Sequence, residues 1–566
     1  LALGTKALDI GGDFTVNGGV FTPGTATTTL NGASAQSVSS TSFAALAIDK
    51  SAGTVTFTGN TTSTGGFKLT GGILSLGTKS FDVGGDFVVN GGVFTPGTAT
   101  TTLNGAAGQS VSSTSFYDLV IDKSGGTASL STSATTTGNF ALLAGTLSLG
   151  TKAFAVGGGF TVNGGVFTPG TATTTLNGAA PQSVSSTSFA ALTIDKPAGI
   201  AVTFTGNTTS TGGFNLTGGT LSLGSKAFDV GGDFVVNGGV FTPGTATTTL
   251  NGASGQSVSS TSFMGLVIDK SAGTVTFTGN TTSTAGFRLM RGTLSLGTNR
   301  LNVGGDFEVN GGVFTPGTGL TVLNGAAAQS VSSTNFAALT IDKSGGTVTP
   351  SVNTTSTGNF SLLGGTLSLG TKAFDVGGNF IVNGGVFTPG TATTTLNGSG
   401  VQSVSSTAFT GLVVDGGTVT FTGNTTSTAG VKITSGSLSL GTNRLNIGGD
   451  FVVNGGTFTP GTGLMVLNGA AAQSVSSTNF EDLTIDKSGG TVTPSANVTS
   501  TGNLVLLSGT LALGTKALDI GGDFTVNGGV FTPGTATTTF NGSGAQSVSS
   551  TAFMGLVIDG GTVTFT

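Results

Sequence analysis

The chain has no cysteine, no histidine and no tryptophan, one tyrosine (Tyr117), and only 7% charged residues in a length of 566. Without cysteine there are no disulfides and no thiolate metal sites. A formal charge of -5 over this length leaves no basic field for nucleic acid or anionic lipid. No apolar run approaches the ~18 residues that mark a membrane-spanning helix, and no signal peptide is visible. No window of helical length carries a 3.6-residue period. Glycine is abundant, 102 residues, but has no Gly-X-Y period, which excludes collagen. Charge poverty alone would point to disorder. The 39 phenylalanines argue otherwise, because they recur at fixed positions that a disordered chain does not need.

What is there is one motif, repeated. Gly84-Gly85-Asp86-Phe87-Val88-Val89-Asn90-Gly91-Gly92-Val93-Phe94-Thr95-Pro96-Gly97 recurs eight times with small changes. Its asparagine falls at Asn17, Asn90, Asn163, Asn237, Asn310, Asn383, Asn454 and Asn527, at spacings of 71 to 74 residues. A fixed period of this size marks a solenoid or modular array. The length would suggest several domains, but a solenoid buries one continuous core of any length. Residues 1–566 are therefore expected to form a single continuous solenoid of about eight ~73-residue repeats, without separate domains. The chain opens and closes in mid-repeat and reads as a segment of a longer polypeptide.

Within a repeat, short runs alternate apolar and polar residues: Leu74-Ser75-Leu76, Phe81-Asp82-Val83, Phe87-Val88-Val89, Leu119-Val120-Ile121. Period two is a strand with one buried face. Gly, Asn, Asp, Pro and Ser punctuate the runs. The expected fold class is all-β: a parallel β-helix (β-solenoid), right-handed by the general preference of parallel crossovers. Nine or ten runs per repeat predict about three coils of roughly 24 residues each, with neighbouring coils ~4.8 Å apart. Separate sandwich modules are the competing architecture; they would show linkers between copies, and none is seen.

Three phenylalanine positions hold in all eight copies, represented by Phe14, Phe21 and Phe43 in the first and Phe87, Phe94 and Phe116 in the second. Core filling explains them better than an exposed aromatic strip for sugar stacking, where Tyr and Trp would be preferred. Length changes concentrate after Ile-Asp-Lys. Copy three extends there (Asp195-Lys196-Pro197-Ala198-Gly199-Ile200) and copy six shortens (Asp415-Gly416-Gly417), which marks a tolerant exposed loop. Eight of the twelve prolines lie in Thr-Pro-Gly and mark a corner. Residues 1–29 are identical to 511–539, and 297–375 closely match 441–519. Such near-identity suits an array of variable length.

The charges repeat as well. Lysine follows Ile-Asp at Lys50, Lys123, Lys196, Lys270, Lys343 and Lys487, and aspartate follows Gly-Gly at Asp13, Asp86, Asp233, Asp306, Asp450 and Asp523. Both sets are expected to be solvated turn residues. Calcium held by these aspartates and turn carbonyls is an alternative, weakened by Gly159 and Asn379 in two copies and by the absence of the Gly-Gly-x-Gly-x-Asp nonapeptide. A lyase or hydrolase site would need acids gathered in one groove; here they are spread evenly. The local departures are Arg288, Arg291, Arg300 and Glu481-Asp482. Thr-rich strands such as Thr98-Ala99-Thr100-Thr101-Thr102 raise ice binding, although threonine also has high strand propensity. Asn60-Thr61-Thr62 matches a glycosylation acceptor. No catalytic, cofactor-binding or metal-ligating residue is singled out.

Phe-x-x-Leu-x-Ile-Asp-Lys, Gly-x-Val-Thr-Phe-Thr-Gly-Asn, Leu-x-Leu-Gly-Thr and Val-Gly-Gly-Asp-Phe resemble the tandem β-strand repeats of very large bacterial surface proteins, including adhesin-like and autotransporter-associated repeats. The resemblance spans the whole chain and carries over no functional residue. It implies a cell-surface or extracellular stalk, adhesin shaft or fibre. The expectation is a non-enzymatic structural protein, without cofactor, that self-associates end to end or laterally. A monomeric adhesin shaft, or a glycan- or ice-binding solenoid, is the alternative.

Overall fold

The structure, a computed structural model, describes residues 1–39, 41–476, 479–549 and 551–566. Among these residues there are 66 strands and no helix, and every described pairing is parallel. Two units are distinguished: Leu1–Thr281 with Met290–Thr293, and Thr282–Leu289 with Leu294–Thr566. Both are parallel β-solenoids of short strands.

In the first unit, consecutive turns stack in register on three faces. One ladder runs Leu8, Thr28, Leu46, Phe67, Phe87, Val111, Leu130. A second runs Thr61, Phe81, Thr101, Leu119, Phe140, Phe160, Val184, Phe204. The third begins Phe14, Val38, Phe57 and continues through Phe116, Thr136, Val156, Leu176, Ile194, Leu216 and Val236. Successive rungs lie mostly 20 residues apart, so a turn holds about 20 residues. Turns are thus shorter than the 24 residues that strand counting suggests. The 13-residue strand Asp118–Leu130 explains the difference: it bends round a corner with register shifts at Asp122, so one strand serves two faces.

The short turn has a geometric result. A 73-residue repeat is not a whole number of 20-residue turns; it covers eleven faces, or three and two-thirds turns. Each copy therefore slips back one face relative to the copy before. Phe14 lies on the third ladder, Phe87 on the first, Phe160 on the second, and Phe234 is back on the third beside Leu192 and Phe214. The second unit behaves alike, with Phe307, Phe380 and Phe451 in three different ladders. Equivalent residues return to one face only after eleven turns, on the order of 53 Å at ~4.8 Å per turn. The even spread of charge follows from this slip.

Inward positions alternate with outward ones along each strand, as in the buried–intermediate–buried pattern of Phe81–Val83. The three invariant phenylalanines of a copy meet in one cluster: Phe87 lies 5.2 Å from Phe94 and 5.5 Å from Phe116, centroid to centroid. The outer two are core residues in every copy but the last, where Phe553 is only partly covered, and each buried ring contributes ~1.5–3 kcal/mol. The middle one differs from expectation. Phe21, Phe94, Phe241, Phe314 and Phe387 remain partly exposed, while Phe167, Phe458 and Phe531 are just buried. Close stacking also demands glycine where corners superimpose. A Cβ on Gly105 would run into the carbonyl of Gly84 one turn below.

Candidate functional site

Three sets of recurrent polar side chains, a lysine, a glutamine and an aspartate, bind one turn to the next. The lysine of Ile-Asp-Lys is the clearest case, and it overturns the expectation of a solvated turn. Lys50, Lys123, Lys196, Lys270, Lys343 and Lys487 are all buried, none more than 3% exposed. The strand alternation carries them inward: Leu119, Ile121 and Lys123 are successive inward positions of one strand. A glycine of the next turn closes over the stem, since a Cβ on Gly145 would meet that of Lys123.

A buried ammonium needs acceptors. Lys123 Nζ donates to the Gly105 carbonyl at 2.7 Å and to Gln109 Oε1 at 2.6 Å. Gln109 Nε2 in turn donates to the carbonyls of Val83, at 2.8 Å, and Gly85, at 2.5 Å. One Lys–Gln pair therefore ties together three successive turns. The same staple joins Lys50 to Gln36, Lys270 to Gln256, Lys343 to Gln329 and Lys487 to Gln473. Burial pushes the pKa of each of these lysines down.

Copy three departs from the pattern. Lys196 Nζ reaches the Gly178 carbonyl at 2.5 Å, but Gln182 Oε1 is buried without a partner. Burial pulls the Lys196 pKa down to about 8. Copies six and eight have no lysine, and their corners are two residues shorter. There the glutamine turns back on its own corner: Gln402 Oε1 accepts from the Gly398 amide at 3.0 Å, and Gln546 Oε1 from that of Gly542 at 3.2 Å. Lysine and corner length are thus exchanged together, and the glutamine oxygen finds a partner either way, copy three excepted.

The Gly-Gly-Asp carboxylates serve a second stitch. Asp86 Oδ1 accepts the amide of Ser110, one turn on, at 2.7 Å; Asp13, Asp233, Asp306, Asp450 and Asp523 repeat the bond. Asn379 replaces it isosterically, accepting from Ser403 at 2.8 Å. A neutral amide in this role shows that the position works through an acceptor oxygen rather than charge. No group of three or more acidic residues that could hold a cation occurs among the described residues.

The residues that break the repeat also face adjacent turns. Arg288 Nε pairs with Glu308 Oε2 at 2.8 Å, and Arg291 Nε with Asp269 Oδ1 at 2.6 Å. Arg300 Nε donates to Asn302 Oδ1 at 2.6 Å. Thr501 Oγ1 donates to Glu481 Oε2 at 2.6 Å, and the Asn503 amide to Asp482 Oδ1 at 2.7 Å. Asn60 Oδ1 accepts the Ser80 amide at 3.1 Å. Apart from Arg300–Asn302, which lies within one strand, these are surface links between neighbouring turns, dispersed along the chain. Comparison with protein-family models, with curated proteins and with solved structures returned no match. The β-solenoid and its stitching are therefore the ground for any functional reading.

Proposed function

We propose that the chain is a structural array that works outside the cell as a stiff element and assembles into a fibre, filament or sheath. The observation that carries this reading is the turn-to-turn stitching. Repeated lysine, glutamine and aspartate side chains, the groups from which sites are usually built, bind one turn to the next. A solenoid stabilised by nearest-neighbour contacts resists load along its length and extends without limit in repeat number. Near-identical copies with few charges suit a spacer of variable length. The resemblance to bacterial surface repeats supports a cell-surface location. A monomeric adhesin shaft uses the same physics and differs only in remaining unassembled.

Electron microscopy of the protein at increasing concentration tests the reading. Filaments or bundles with an axial ~4.8 Å layer spacing are expected. Isolated rods at every concentration would remove the fibre and leave the shaft. Globular particles would remove both.

A further inference from the structure

The chain holds sixteen Asn-Gly dipeptides, two in each copy. Asparagine before glycine is chemically labile, because glycine has no Cβ to keep its amide nitrogen away from the preceding side-chain carbonyl. One series is the Asn-Gly-Gly corner, Asn90-Gly91-Gly92 in copy two; the other opens the corner before the glutamine, Asn104-Gly105 in copy two. The asparagine is exposed in all sixteen. The glycine separates the series. It is exposed in all eight Asn-Gly-Gly corners, and partly covered or buried in all eight of the others.

The covered glycines are also tied down. Each lies against a glycine carbonyl of the turn below, as Gly105 does on Gly84 and Gly325 on Gly304. In six copies the buried lysine holds the glycine's own carbonyl, as Lys123 holds that of Gly105 at 2.7 Å. In the two copies without lysine the glycine amide itself is engaged: Gly398 donates to Gln402 Oε1 at 3.0 Å and Gly542 to Gln546 Oε1 at 3.2 Å. Gly91, by contrast, stands at the surface with φ of 115°.

We propose that the eight Asn-Gly-Gly corners modify themselves in water, and that the stacking of turns protects the other eight asparagines. The Gly91 amide gives its proton to hydroxide and its nitrogen attacks Asn90 Cγ. An N–Cγ bond forms, the Cγ–Nδ2 bond breaks, and Nδ2 leaves as ammonia with a proton from water. One further water opens the resulting succinimide at either carbonyl. The product is an aspartate, or an isoaspartate whose main chain runs through Cγ. Each event adds one negative charge, so conversion of all eight corners takes the formal charge from -5 to -13. Within a unit successive corners stand on the order of 18 Å apart along the axis at ~4.8 Å per turn. That exceeds the Debye length of ~8–10 Å, so one converted corner does not hold back the next. The slip of one face per repeat spreads the new charges round the solenoid. The chain thus carries a charge that grows with its age. This inference goes beyond the assembly reading and stands without it.

The test keeps the full folded chain in warm buffer at pH 8 and follows both series by mass spectrometry of acid-protease digests, in which each conversion adds one dalton. A matched sample in guanidinium chloride reports the unfolded chain. In the folded chain the Asn-Gly-Gly corners are expected to convert on the order of ten-fold faster than the covered series, which must first open locally. In guanidinium the two series are expected to convert at one rate. Equal rates in the folded chain would overturn the protection. Asn-Gly-Gly corners that stay intact in the folded chain and convert in guanidinium would overturn the self-modification. A difference that persists in guanidinium would assign it to flanking sequence and overturn the structural cause.

Discussion

Lys123 is buried, and its ammonium donates to the Gly105 carbonyl and to Gln109 Oε1, whose amide nitrogen is itself held by two backbone carbonyls. Removing it strands Gln109 Oε1 and the Gly105 carbonyl, each an unsatisfied buried acceptor costing ~1–3 kcal/mol. Lys123→Met is therefore expected to destabilise the surrounding turns by about 3 kcal/mol, read as faster amide exchange over 118–130. Deleting Lys123 and Ser124 together recreates the copy-six corner, in which the glutamine satisfies itself, and is expected to cost much less. Equal loss in both variants would show that the staple is incidental. Lys196 adds a pH dependence. Its folded pKa of about 8 lies below the ordinary 10.5. Between these values the unfolded chain holds a proton that the folded chain has released, so stability rises with pH across that window. Denaturant midpoints of the unaltered protein are expected to climb from pH 8 to pH 10, and Lys196→Met to reduce that rise. A slope unaffected by the substitution would assign it elsewhere.

The inward-facing threonine of Thr100–Leu103 is an element-scale anomaly. Thr101 Oγ1 is buried without a hydrogen-bond partner, as are those of Thr28, Thr174, Thr248, Thr321, Thr394 and Thr538. Each lies at a rung flanked by apolar neighbours, such as Phe81 and Leu119 around Thr101. Copy seven places Met465 there, fully buried, so the ladder accepts an apolar side chain. Thr101→Val removes an unpaired hydroxyl at nearly constant volume and is expected to stabilise by ~1 kcal/mol, measured as slower local amide exchange. Destabilisation would mean that the hydroxyl has a partner after all. Strand alternation also made much of this fold legible. It located the inward Phe, Val and Leu and the parallel β-helix itself. Lysine was misread because Ile-Asp-Lys-Ser-Gly-Gly looks like a turn, although Leu119, Ile121 and Lys123 keep perfect inward parity. The joint loss of lysine and two corner residues in copies six and eight was the second available signal. Turn length was hidden because Asp118–Leu130 rounds a corner without the punctuation that marks other corners.

At the scale of the molecule, contacts depend on sequence separation and not on which face a residue occupies. A residue meets the one about 20 places onward whether it stands on the first, second or third ladder. Faces are interchangeable, and the 73-residue copy can be out of step with the turn without strain. This has a bearing on inheritance. Unequal recombination between near-identical copies removes or adds a whole repeat and leaves every local neighbourhood as it was, so selection for folding does not see the event. The heading of whatever follows within the same solenoid unit does change, by a third of a turn. Gain or loss of three copies restores it. Repeat number thus acts as a three-position dial, set by genetic accident and invisible to stability, that determines which way the distal part of a solenoid unit faces.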